Sequence, residues 1–97
     1  MLDTATHFSS ERTPLGSPYA IALGLNVERL RREAHLTKSK FCLMADISRS
    51  FLDKIEEGSA NPKLSHLEKL AEALGTTPMA LLAMPTAKDY RASSKRR

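Results

Sequence analysis

Apolar residues recur along this chain every three or four positions, the period that gathers them on one face of a helix. Leu23, Val27, Leu30 and Ala34 form a first stripe, and Phe41, Cys42 and Ala45 a second. Leu52 and Ile55 form a third, Leu64, Leu67, Leu70, Ala71 and Leu74 a fourth, and Leu81 with Leu82 a short fifth. No stretch shows the period of two expected of a half-buried strand. The stripes end in helix punctuation. Thr37 and Ser48 carry hydroxyls that can accept from the unpaired amides of a first turn. Asp46, Gly58 and Gly75 stand where a helix ends in the left-handed region, which glycine adopts most readily. Thr77-Pro78 joins a cap to a first-turn proline. The pattern predicts five helices. The first begins between 19 and 23 and runs to about 34; Lys38–Ala45 and Arg49–Glu57 follow. The fourth runs from Leu64 or Ser65 to Leu74, and a short fifth covers about 78–83. Gly24 and Asn26 weaken the first, glycine by about 1 kcal/mol relative to alanine. Pro62 disfavours a helical conformation at Asn61 in the turn after the third, and Pro85 prevents continuation of the fifth. Short connections and local stripes point to a compact all-α bundle.

The flanks differ from this core. Residues 1–18 hold Ser9, Ser10, Pro14, Gly16, Ser17 and Pro18 with little periodicity and read as a flexible arm, although Ser17-Pro18 can also begin a helix. Residues 19–84 are the expected domain, and 85–97 a basic, flexible tail. No apolar run is long enough to span a bilayer, and the N-terminus lacks the pattern of a signal peptide. Cys42 is the single cysteine, which with those features implies a cytoplasmic protein. Fifteen Lys and Arg against eleven Asp and Glu give a net charge of +4 and suit a polyanionic partner. An enzyme is not expected. His7, His35 and His66 are scattered, Glu56 and Glu57 are adjacent and point apart on a helix, and no phosphate-cradling loop occurs. The spacing supports no metal site, and no cofactor is implied.

The stretch 37–58 (T-K-S-K-F-C-L-M-A-D-I-S-R-S-F-L-D-K-I-E-E-G) therefore reads as two capped helices with a tight joint and an exposed face of short and cationic side chains. Reading a DNA groove needs that arrangement. With L-G-L-N-V-E-R-L-R before it, N-P-K-L after it and L-E-K-L-A-E-A-L-G-T-T-P-M-A-L-L beyond, residues 23–82 resemble the Xre/Cro-type, lambda-repressor-like helix-turn-helix domain.

The resemblance implies a five-helix lambda-repressor-like bundle with the helix-turn-helix as its second and third helices. It implies a partly buried ion pair between Arg31 and Glu56, and base contacts from Arg49, Ser50 and Lys54. Contacts to the DNA backbone would come from Lys38, Asn61 and Lys63. Asp53 shares the reading face and would repel phosphate; it could orient Arg49 or Lys54, or accept from cytosine. Phe51 either packs at the core edge, the simpler reading, or lies against DNA. Cys42 stands where relatives carry a small alanine, and Asp46 where they carry glycine. Leu43 and Met44 make the second helix apolar almost all round, so the arm or a second subunit is expected to cover them.

The function implied is a sequence-specific transcription regulator, a repressor binding double-stranded DNA as a homodimer on a palindromic operator. Met79, Leu82, Met84 and Tyr90 supply apolar surface for the dimer. The alternative is an antitoxin or adaptor-type module that uses the same fold to bind a protein partner through residues 1–18.

Overall fold

A computed structural model describes residues 17–85; most of the expected arm and tail, with Tyr90, lies outside the described residues. Ser17 caps the first helix, its hydroxyl accepting from the Ala20 amide at 3.1 Å. Pro18 takes the first helical position, where a missing N–H costs nothing, and α1 runs Pro18–Glu33. It starts earlier than the pattern predicts and passes straight through Gly24 and Asn26. Both weak helix formers are used by other parts of the fold. At Gly24 the backbone of α1 lies against the end of the third helix. A Cβ there would collide with the Ile55 carbonyl oxygen and sit 3.2 Å from that of Glu56. Asn26 is 2% exposed, and its Nδ2 donates to the carbonyls of Leu81 at 2.7 Å and Ala83 at 2.8 Å. Those oxygens lie at the end of the last helix, where no intrahelical donor reaches them.

The remaining elements are α2 (Lys38–Ala45), α3 (Arg49–Glu57), α4 (Leu64–Leu74) and α5 (Pro78–Leu81), five helices and no strand among the described residues. Their starts follow from local chemistry. Thr37, Ser48 and Thr77 each accept a third-residue amide, from Lys40, Phe51 and Ala80, at 3.1 Å. The start of α4 has no hydroxyl cap; the Lys63 amide donates instead to Nδ1 of His66 at 3.3 Å. Asp46 (φ 57°), Gly58 (φ 86°) and Gly75 (φ 70°) turn the chain through the left-handed region, as does His35 (φ 59°). Asp46 is among the few residue types that visit that region, and Lys69 on α4 donates from its Nζ to the Asp46 Oδ2 at 3.2 Å in an exposed contact.

The core is formed where α1 packs on α3, α4 and α5, α2 on α3 and α4, and α4 on α5. Phe41, Leu23, Leu52, Ile55, Leu70, Leu81 and Val27 are sealed from solvent. Each such side chain contributes about 1.5–3 kcal/mol, a large share of the 5–15 kcal/mol typical of a domain. Two expected core residues are outside. Ala34 is exposed because it caps α1 and leaves the helical stripe. Leu64 is 77% exposed, since it is the first residue of α4 and the apolar stripe outruns the surface it packs on. The fifth helix is also shorter than expected, because Leu82 already caps it.

By helix propensity alone, Gly24→Ala would stabilise the protein by about 1 kcal/mol. The close approach to α3 reverses that sign, and a loss of about 1–3 kcal/mol is expected from overpacking. Urea unfolding measures it; an unchanged or higher midpoint would show that α1 and α3 can separate freely.

Candidate nucleic-acid interface

Between α2 and α3 the chain turns through Asp46, Ile47 and Ser48. The Ile47 amide donates to the Cys42 carbonyl at 3.1 Å, and the Cys42 thiol to the Ser48 carbonyl at 3.7 Å. Cys42 is buried, and desolvation, opposed by the charge of Arg49, pushes its thiol up, so it stays protonated and a poor nucleophile. Leu52 and Ile55 root α3 in the core. That fixes which side of α3 looks outward: Arg49, Ser50 and Lys54 are exposed there, with Asp53 half-exposed between them. Phe51 packs at the core edge, its ring centroid 4.9 Å from that of His66 at a 58° tilt. The aromatic side chain on α3 thus steadies the start of α4.

Behind the outward face stands the Arg31–Glu56 pair. Arg31 Nε donates to Glu56 Oε2 at 2.8 Å and Nη2 to Oε1 at 3.1 Å. Its third contact, Nη1 to the Leu36 carbonyl at 2.9 Å, binds the loop before α2 as well. Both side chains are 7% exposed. The planar fork matched to a carboxylate is the strong form of an ion pair. The hydrogen bond it donates to Glu56 raises the already high pKa of the guanidinium, outweighing desolvation.

The pair continues outward as a line of alternating charge. Glu56 Oε1 lies 3.9 Å from Nζ of Lys38, the first residue of α2. Lys38 Nζ donates to Asp53 Oδ1 at 3.1 Å, and Arg49 Nε is 3.5 Å from the same oxygen. The hydrogen bond from Lys38 is the main cause holding the Asp53 carboxyl below its usual range; Arg49 adds to it and desolvation opposes it. A carboxyl lowered on folding contributes stability above its unfolded pKa and loses it as pH falls through the folded one. The Lys38–Asp53 tie is therefore complete at neutral pH.

The arrangement brings Lys38, Arg49, Ser50 and Lys54 to one face of α2 and α3. Asn61 and Lys63 are exposed on the loop that follows α3, and Lys63 also gives its amide to His66. Leu43 is 83% and Met44 50% exposed, and no described residue covers them. Among the described residues no group of His, Cys, Asp and Glu could hold a metal, and no helix is long and apolar enough to cross a membrane. Two working features escape a sequence reading. The Lys38–Asp53 contact joins different helices, and its only linear signal is the opposite charge. Asn26 reads as a helix defect until α5 is seen to hang from it.

Residues 27–81 match a family model described as helix-turn-helix. Over 66 residues the chain is 36% identical to the immunity repressor protein of Bacillus phage phi105, covering 68% of this chain and 46% of that protein, about half its length. Over 67 residues it is 30% identical to control protein C.BamHI of Bacillus amyloliquefaciens, covering 68% and 83%. Among solved structures, the restriction-modification controller protein C.AhdI from Aeromonas hydrophila is similar at a TM-score of 0.61 and 27% identity, over 64% of this chain and 94% of that one. The hypothetical transcription factor NHTF from Neisseria shares the fold, with a TM-score of 0.66 at 22% identity over 88% and 94%.

Arg31→Ala should cost about 3–5 kcal/mol because it strands the buried Glu56 carboxylate. An exposed pair is worth only about 0.2–1 kcal/mol. Chemical denaturation separates the two cases, and a loss within the lower range would show that water reaches Glu56 readily.

Proposed function

This chain belongs to the helix-turn-helix family, and from that premise we propose that it is a sequence-specific DNA-binding transcriptional regulator, a repressor acting as a dimer on a palindromic operator. One observation carries the reading. A helix rooted in the core and clamped from behind by a buried bidentate pair presents Arg49, Ser50 and Lys54 to solvent, with Lys38 beside them. A DNA major groove admits a helix of this kind, and the residues near its N-terminus meet the base edges. Arg49 is the first residue of α3, and its planar fork fits the O6 and N7 acceptors of guanine. Ser50 can donate or accept, and Lys54 lies one turn further along the same face. Lys38, at the amide-rich start of α2, suits a phosphate, and Asn61 and Lys63 suit the backbone beyond the other end of α3.

The relatives support the regulatory role: one is named an immunity repressor and another a control protein. A single small module spans few base pairs, so a second copy and a two-fold operator complete the reading. Half-site centres then lie about 34 Å apart, one helical turn. Met79 at 78% and Met84 at 51% exposed, with half-buried Leu82, supply the apolar surface for that second copy. Occupying a promoter in this way blocks transcription sterically.

Selection of bound duplexes from a random pool tests the proposal, an enriched two-fold site being the expected result. On that site, Arg49→Ala should relax one base position at about 1–3 kcal/mol, while Lys38→Ala should weaken all sequences alike. No enrichment would remove the regulator reading. Met79→Asp combined with Met84→Asp should convert a dimer to monomer in sedimentation; an unchanged mass would move the dimer contact elsewhere.

A further inference from the structure

The geometry points to Asp53 as a residue that sets sequence discrimination, by fixing Arg49 and Lys38 in their working positions and by repelling misplaced phosphate. This rests on the DNA-binding reading above. Asp53 stands between the outward residues Lys38, Arg49, Ser50 and Lys54, with Glu57 exposed one turn further along α3, and a negative charge there works against affinity for any DNA. Its contacts give that charge a use. A single oxygen, Oδ1, takes Lys38 Nζ at 3.1 Å and lies 3.5 Å from Arg49 Nε. Because the arginine is held through Nε, both its Nη groups remain for the paired acceptors of guanine. Behind Lys38, Glu56 stands 3.9 Å away, itself locked to Arg31. Arg49 is thereby connected, charge by charge, to the buried Arg31–Glu56 pair.

A long arginine side chain held in advance loses less freedom on binding, which is worth a few-fold to about tenfold in affinity for the matched base. On unmatched DNA no such return exists, and the carboxylate still faces phosphate. Asp53 therefore lowers both kinds of binding by repulsion but restores only the specific kind. Without it, Arg49 loses its tether and Lys38 keeps only the longer approach to Glu56, so both serve any phosphate more readily. Lys54 makes no hydrogen bond or ion pair with Asp53, so the orienting effect falls on Arg49 and Lys38.

The test is competition binding by the full chain to its selected operator and to a scrambled duplex of equal length, at three salt concentrations. The variants are Asp53→Asn, Asp53→Glu and, to remove one charge from an exposed position on α4, Glu72→Gln. Asp53→Asn should bind scrambled DNA more tightly, steepen the logarithmic salt slope by about 0.9 and lower the operator-to-scrambled ratio about three- to tenfold. Asp53→Glu should recover most of the ratio, and Glu72→Gln should leave it near wild type. An unchanged ratio in Asp53→Asn, or equal losses in Asp53→Asn and Glu72→Gln, would overturn the inference. So would a loss confined to one C·G pair, which would mean that Asp53 reads cytosine directly. A wild-type ratio near one would overturn the regulator reading, and this inference with it.

Discussion

The position of α3, the candidate reading helix, depends on its crossing with α1. Two features of opposite character fix it. Gly24 lets the backbones meet where any side chain would push them apart, and the Arg31–Glu56 pair holds them at a set rotation. Packing of Leu52 and Ile55 alone would permit α3 to rock about its axis, since dispersion contacts have little directionality. A bidentate fork has a defined plane and does not. Two turns of α1 separate Gly24 from Arg31, so the clamp acts at separated points along the interface. The outward direction of Arg49, Ser50 and Lys54 is a consequence of that inner fit.

Polar groups carry the rest of the specification. The loop before α2 is bound through the Leu36 carbonyl to the same guanidinium that holds α3. The chain reversal at Asp46 is tied to α4 by Lys69, and the start of α4 is closed by His66, whose ring also meets Phe51. Each of these joins elements that the apolar core brings together without orienting. A core of this size supplies most of the free energy, while the hydrogen bonds select one arrangement from those of similar burial.

Residues with a local cause were legible in the sequence. The limits of α2 and α3 follow from Thr37, Asp46, Ser48 and Gly58, each acting on its own turn, and the structure has the helices between them. The matched spacing also led to Arg31 and Glu56 as partners, and the structure holds them in contact. What was not legible depends on neighbours distant in the chain. Gly24 and Asn26 lower helix propensity locally, yet α1 runs through both because α3 and α5 need them. Leu64 and Ala34 continue an apolar period past the point where a partner surface exists. Periodicity states which residues share a face; it does not state how far the opposing face extends. Asp53 shows the same limit within the candidate interface, since the sequence left several roles open and contact with Lys38 and Arg49 narrows them.

These dependences converge on α1. A helix of four residues, α5, is far too short to persist on its own, because nucleating a helix costs more than one turn returns. It stands because Leu81 is sealed in the core and Asn26 takes the Leu81 carbonyl and that of Ala83 just beyond the helix. Met79 and Met84 are therefore displayed on a surface anchored to α1, as the reading helix is anchored to α1 through Gly24 and Arg31. If a second copy docks on those methionines, the distance between two reading helices is set through one continuous rigid element in each copy. A two-fold operator demands that constancy, since phosphate and base contacts on both half-sites must register together. A flexible connection would leave each half to bind alone and would forfeit the high effective concentration that linking two weak contacts provides. The helix that carries none of the candidate base-reading residues thus sets what α3 can face and supports the surface on which Met79 and Met84 are displayed.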